Sequence, residues 1–297
     1  MNDSSAMLLL ISPLKAKAAK SQERPISTDI IHRIGGSNLM QRMPFLAGCA
    51  ATALMVCSAE AQAEGWSATS PETSSCYPAD LLFASSSYGS YTFNNDVWAP
   101  CQGVAAGKQT IWAKSNLDWG VSSNQPDTAR IKSYPHIGYA VNKPLSSLNS
   151  LTAVVSATTP SGGAWESTFD IWAGNKAHEI MVWLNYTGLP DGCGNVKPIS
   201  ANWTFSGCAI PIQKDVPLSG GTWNVYVGSN GSNTVYSFLR TTKTDHTTLD
   251  VLAFMNYLKS RNYFDDVVLG EVQYGFEITS SPSGLSFASK NFAVTTE

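Results

Sequence analysis

The chain has 297 residues and a formal charge of -3, and only 14% of its residues are Asp, Glu, Lys or Arg. Binding along a nucleic-acid backbone needs clustered Lys and Arg to displace counterions, and no basic stripe is present, so that class of partner is excluded. Nine Trp and eleven Tyr in a Gly- and Ser-rich background suit a surface that meets neutral ligands, and the length fits one globular domain as a default.

Residues 1–39 are mixed polar and charged and precede a complete export signal, so they are expected to be an upstream extension outside the fold. From Met40 onward, Arg42 supplies a positive start, Met43 to Val56 is largely apolar, and Ala61-Gln62-Ala63 has the small-x-small form of a cleavage site. The expected organisation is a secretory signal peptide over 40–63 and a single mature domain over 64–297, located outside the cell. Leu46-Ala47-Gly48-Cys49 spells a lipoprotein box, but few apolar residues precede it and the apolar run continues past it. That run falls short of the roughly 20 residues that cross a bilayer, so a soluble mature protein without membrane contact is expected.

Beyond Tyr77 the chain alternates short aromatic or β-branched runs with Gly, Pro, Asn and Ser, the pattern of antiparallel strands and turns. The clearest predicted strands are Tyr88 to Phe93, Ser133 to Ala140, Leu151 to Ser156, Ser167 to Trp172, His178 to Leu184, Thr222 to Val227, Thr234 to Arg240 and Glu271 to Ile278. Leu249 to Leu258 alone has a helical period, with Thr247 and Asp250 as a capping box. One helix among many strands predicts an all-β sandwich. Four cysteines remain after signal cleavage, and Cys76 with Cys101 and Cys193 with Cys208 are the pairs nearest in sequence. Of three possible connectivities that one would staple two short loops, as suits an oxidising compartment.

Alternation places Glu179, Met181 and Trp183 on one face of their strand and Ile180, Val182 and Leu184 on the other. Likewise Glu271, Gln273 and Glu277 point opposite to Val272, Tyr274, Phe276 and Ile278, and Thr168, Asp170 and Trp172 opposite to Phe169 and Ile171. Acidic side chains on a wet sheet face can also be merely solvated, so periodicity alone does not assign catalysis. His136, His178 and His246 lack metal-ligand spacing and no Gly-x-Ser-x-Gly occurs, which leaves no sign of a metal, a cofactor or a serine nucleophile.

Asp170-Ile171-Trp172, Glu179-Ile180-Met181-Val182-Trp183-Leu184, Gly228 to Asn233 and Gln273-Tyr274-Gly275-Phe276-Glu277 fall in an order and spacing that resemble glycoside hydrolase family 12. Asn95-Asp96-Val97-Trp98, Lys132-Ser133-Tyr134-Pro135 and Pro198-Ile199 extend the resemblance over nearly the whole mature chain. It implies a β-jelly-roll of two antiparallel sheets with an open substrate cleft on the concave sheet, Glu179 as nucleophile, Glu277 as general acid/base and Asp170 as a supporting carboxylate. It also implies Trp98 as a sugar platform, with Asn95, Met181 and Trp183 contacting substrate. Asp96, Ala99 and Ile278-Thr279 depart from the family's usual residues, and Phe169 replaces a tyrosine. The function so implied is a monomeric, cofactor-free secreted endo-β-1,4-glucanase acting on β-glucan polysaccharide by retention. A xyloglucan-specific enzyme of the same family and a non-catalytic carbohydrate-binding sandwich are the alternatives.

Overall fold

The computed structural model describes residues 65–297, so the extension and signal peptide expected over 1–39 and 40–63 lie outside the described residues. In chain order the strands are β1 (Trp66–Ser70), β2 (Ser85–Tyr88), β3 (Tyr91–Asn94), β4 (Lys108–Ser115), β5 (Asp118–Asn124), β6 (His136–Pro144), β7 (Leu151–Thr158) and β8 (Ala164–Ala173). They continue as β9 (His178–Tyr186), β10 (Gln213–Leu218), β11 (Gly221–Ser229), β12 (Thr234–Arg240), β13 (His246–Asp250), β14 (Val268–Ser280) and β15 (Leu285–Thr296). Two helices join them, a single turn α1 (Ala79–Leu82) and the longer α2 (Val251–Lys259).

The strands form a six-stranded sheet, β1-β4-β5-β15-β7-β13, and a nine-stranded sheet, β10-β11-β12-β9-β8-β14-β6-β3-β2. All neighbours are antiparallel except β12 and β9, which run parallel from Thr234 opposite His178 to Leu239 opposite Trp183. The architecture is the expected all-β jelly-roll sandwich, without a closed barrel.

The facing sides of the two sheets bury one apolar core in which Ile180, Val182 and Leu184 of β9 meet Phe169 and Ile171 of β8 and Val272, Tyr274, Phe276 and Ile278 of β14. Trp119 from the smaller sheet packs on Phe276 with ring centroids 5.6 Å apart, and Phe276 packs on Phe287 at 5.0 Å. Burying each such side chain contributes about 1.5–3 kcal/mol, which is what fixes the register of these strands. Helix α2 seats Phe254 against Trp223 and Phe238 at 5.1 and 5.0 Å. Its cap is Asp250, whose Oδ1 accepts from the Ala253 N–H at 3.1 Å, while Thr247 lies in β13. The expected capping box is therefore displaced, because pairing of β13 with β7 takes Thr247 first.

Two further expectations need correction. The run from Tyr88 to Phe93 is not one strand but a hairpin, β2–β3, turned at Gly89 whose φ of +57° suits a residue without a Cβ. Ser133 makes only an isolated bridge to Ile278, and β6 begins three residues later, after Pro135. Both disulfides pair as expected, Cys76 with Cys101 and Cys193 with Cys208.

Candidate active site

The concave face of the larger sheet carries a cleft of about 790 Å³. Its floor is assembled by cross-strand register. On β14 and β8, Glu277 stands directly opposite Glu166, Gln273 opposite Asp170 and Glu271 opposite Trp172. On β8 and β9, Trp172 stands opposite Glu179 and Asp170 opposite Met181. Glu179 and Glu277 are thus not on adjacent strands, since β8 runs between them and contributes two carboxyls of its own, Glu166 and Asp170. At the far side β6 and β3 supply His136, Thr92 and Asn94, and the loop after β3 supplies Asp96 and Trp98.

The backbone around Glu277 is set by Gly275, where a Cβ would lie 2.4 Å from the Pro135 carbonyl oxygen. That carbonyl accepts from the Phe276 N–H at 3.1 Å, so the segment before β6 crosses closely over β14. Lys132, fully buried, donates from Nζ to the carbonyls of Thr128, Ala129, Arg130 and Thr279 at 2.6 to 3.1 Å, which locks this segment to the end of β14. Glu179 is held from the other side. Asn230 Nδ2 donates to Glu179 Oε2 at 3.0 Å, while Asn230 Oδ1 accepts from the N–H groups of Ser232 and Asn233 at 2.9 and 2.8 Å. The Gly-Ser-Asn-Gly-Ser-Asn turn between β11 and β12 is therefore a clamp on this carboxylate.

Burial dominates the electrostatics. Loss of water raises Glu277 well above the usual carboxylate range, and the charges of Glu166, Glu179 and Asp96 raise it further. Asp170 is also pushed well up, by burial first and then by Glu179, Glu277 and Asp96. Desolvation carries Glu179, Glu166 and Asp96 to about 7. Mutual repulsion among the carboxyls adds to the shift at Glu277 but is second to burial. His136 is pushed down to about 4 by burial, so it is neutral and its 3.9 Å approach to Asp96 is not an ion pair. Its Nδ1–H donates to the Tyr134 carbonyl at 2.7 Å and Nε2 accepts from Asn94 Nδ2 at 3.1 Å. The titrating carboxyls move as one coupled group.

Of the residues singled out from sequence, Glu179, Glu277, Asp170, Trp98, Met181 and Trp183 line the cleft. Trp98 is half-buried at the rim. Met181 and Trp183, expected on an open face, are 4% and 2% exposed because residues 187–212, stapled by Cys193–Cys208, fold over β9, β12 and β11 as a second apolar cluster. Asn95 faces the other way. It is fully buried, donating to the Leu81 carbonyl at 3.2 Å and accepting from Gln109 Nε2 at 3.1 Å, and the asparagine in the cleft is its neighbour Asn94. Alternation along β3 could have shown this, because Phe93 and Asn95 share the inward side. Sequence reasoning missed Glu166 and assigned no role to Asn230. Glu166 shares the parity of Asp170, so carrying the alternation two pairs further back would have found it.

A two-layer β-sandwich with an open groove, its floor crowded with desolvated carboxyls and its rim bearing a half-buried tryptophan, is the build of a glycoside hydrolase. Residues 89–297 match the family described as glycosyl hydrolase family 12, and the chain belongs to that family. It is therefore an enzyme of the endoglucanase and xyloglucanase group. A xyloglucan-specific endo-beta-1,4-glucanase A from Emericella nidulans is 32% identical over 219 residues, covering 68% of this chain and 81% of that protein. Endoglucanase S of Pectobacterium parmentieri is 28% identical over 227 residues, with 67% and 78% covered. Among solved structures, the xyloglucanase domain of NopAA, a type three effector from Sinorhizobium fredii, in complex with cellobiose, is 44% identical with a TM-score of 0.72, covering 78% of this chain and 99% of that one.

Proposed function

We propose that this chain is a retaining endo-β-1,4-glucanase whose preferred polymer is xyloglucan, with Glu179 as nucleophile and Glu277 as general acid/base. One observation carries the roles. Glu277 lies half-buried among carboxyls that hold its proton on, whereas Glu179 accepts a hydrogen bond from an amide N–H of Asn230, which favours its ionised form. One face thus offers a proton and the other an electron pair, as double displacement requires.

Glu277 gives its proton to the departing glycosidic oxygen while Glu179 attacks the anomeric carbon, forming a glycosyl ester. Glu277, now ionised, takes a proton from water as that water attacks the same carbon, and Glu179 leaves as carboxylate. Two inversions return the β-anomer. Asp170, with one buried oxygen unpartnered among the described residues, supports the nucleophile's orientation rather than forming a bond. Trp98 offers its ring to a sugar away from the cut.

The xyloglucan preference rests on relatives named for that substrate. Unbranched glucan is the second reading, supported by the relative named an endoglucanase. Comparing kcat/KM on xyloglucan and carboxymethylcellulose tests the choice, and equal or higher efficiency on carboxymethylcellulose overturns it. A binding protein without turnover would have no use for desolvated carboxyls, which cost stability. We place the enzyme outside the cytoplasm, acting as a monomer, with export by the signal at 40–63. The disulfides support the location outside the cytoplasm, and an exported protein whose intact mass begins near Glu64 would establish the route.

A further inference from the structure

Glu166 has no part in the double displacement described above, yet it is 2% exposed and sits directly opposite Glu277 across the β8–β14 pair. Two like-charged side chains in that relation destabilise a sheet, the more so away from water. A structural residue at this place would be expected to be apolar or an amide. An amide, however, would donate to Glu277 and favour its ionised form, while a carboxylate can only accept, and so favours Glu277 only with its proton on. The register sets the two carboxyls side by side on the cleft face, and their mutual hydrogen bonding raises Glu277 while it lowers Glu166.

We propose that Glu166 is a positioning residue for the acid/base: it accepts the Glu277 O–H, fixes the carboxyl toward the glycosidic oxygen, and keeps the proton available until the leaving group takes it. This rests on the assignment of Glu277 as the acid. The other groups facing Glu277 are Asp170 on β8, Glu179 on β9, His136 on β6, and Tyr134 and Asp96 from the loops; Glu271, Lys176 and Lys197 line the same cleft. The neighbouring charges that bear most on Glu277 are Glu166, Glu179 and Asp96, all of one sign. Removing the Glu166 charge therefore lowers the Glu277 value. Loss of activity at high pH reports deprotonation of the acid, so that limb should move toward lower pH.

The test measures kcat/KM against pH for wild type, Glu166→Gln and Glu277→Gln on xyloglucan and on an aryl β-cellobioside with a good leaving group, which needs little protonation. For Glu166→Gln we expect the alkaline limb on the polymer to move acidward, and kcat/KM there to fall by about tenfold more than on the aryl substrate. Equal losses on both substrates with an unmoved limb would show a merely structural residue. If Glu277→Gln itself fails to discriminate between the substrates, the acid/base assignment falls. If it discriminates and Glu166→Gln does not, the positioning role alone falls. Should Glu166→Gln lose the far-UV spectrum of the sandwich, Glu166→Asp serves, its carboxylate withdrawn by one methylene. A selective loss on the polymer supports the proposal and parallel losses overturn it.

Discussion

Glu179 and Glu277 have the same side chain, and in the mechanism proposed above their surroundings divide the work between them. The amide of Asn230 reaches one, while the other faces acceptors and negative charge. Their variants should differ accordingly. Glu179→Ala is expected to lower kcat by about a millionfold, whereas Glu277→Ala should keep most of its first-step rate on aryl glycosides with good leaving groups. Azide added to Glu277→Ala should speed turnover and yield a β-glycosyl azide, seen by proton NMR; an α-product would overturn retention. At the opposite rim, Trp98→Ala should raise KM on polymer by about tenfold with kcat nearly kept, since a ring that packs on a sugar away from the cut contributes to binding and not to bond cleavage, and tenfold corresponds to about 1.4 kcal/mol. Unchanged kinetics would remove Trp98 from the substrate path.

The strands were legible in sequence wherever one face is core and the other polar. Thr234 to Arg240 matches β12 residue for residue, and Glu271 to Ile278 lies inside β14. Strands β1, β4, β5, β10, β13 and β15 were not singled out; they are short or interrupted by charged and small residues, and several owe their pairing to distant partners, as with Phe287 opposite Val121. The cleft residues were legible mainly through their resemblance to a family, since alternation gives a face and not a role. Which asparagine enters the cleft, and that Met181 and Trp183 lie under a stapled loop, depend on long-range packing that no local pattern records. The β11–β12 turn illustrates how an element supplies chemistry without joining it. Asn230→Ala removes a donor from the Glu179 carboxylate, so the acidic limb of kcat/KM should move to higher pH, with a several-fold loss near the optimum. An unmoved acidic limb would mean that the clamp is not used in the reaction.

At the scale of the molecule, the cleft is a store of unfavourable electrostatics held in place by the core beneath it. Glu166 and Glu179 titrate near 7 when folded against a reference of 4.5, so they bind protons more tightly folded than unfolded. Their contribution is most favourable below the unfolded value and is lost as pH rises through the folded one. Glu179→Gln should therefore raise Tm at pH 8 by a few degrees and leave it nearly unchanged at pH 4, about 1 kcal/mol corresponding to about 2–4 °C for a domain of this size. A larger gain at the lower pH would reverse the sign of this account. The same sheet also has a temporal side. Glu277 meets Glu166 across 111 positions of chain (277 minus 166), and the parallel β9–β12 pair joins residues 56 apart (234 minus 178). Each contact closes a long loop before it returns any energy, which places the fold among the slow formers. Under the roles proposed above, the nascent chain lacks its acid/base until β14 has emerged, so no form that stops before Glu277 holds a working cleft.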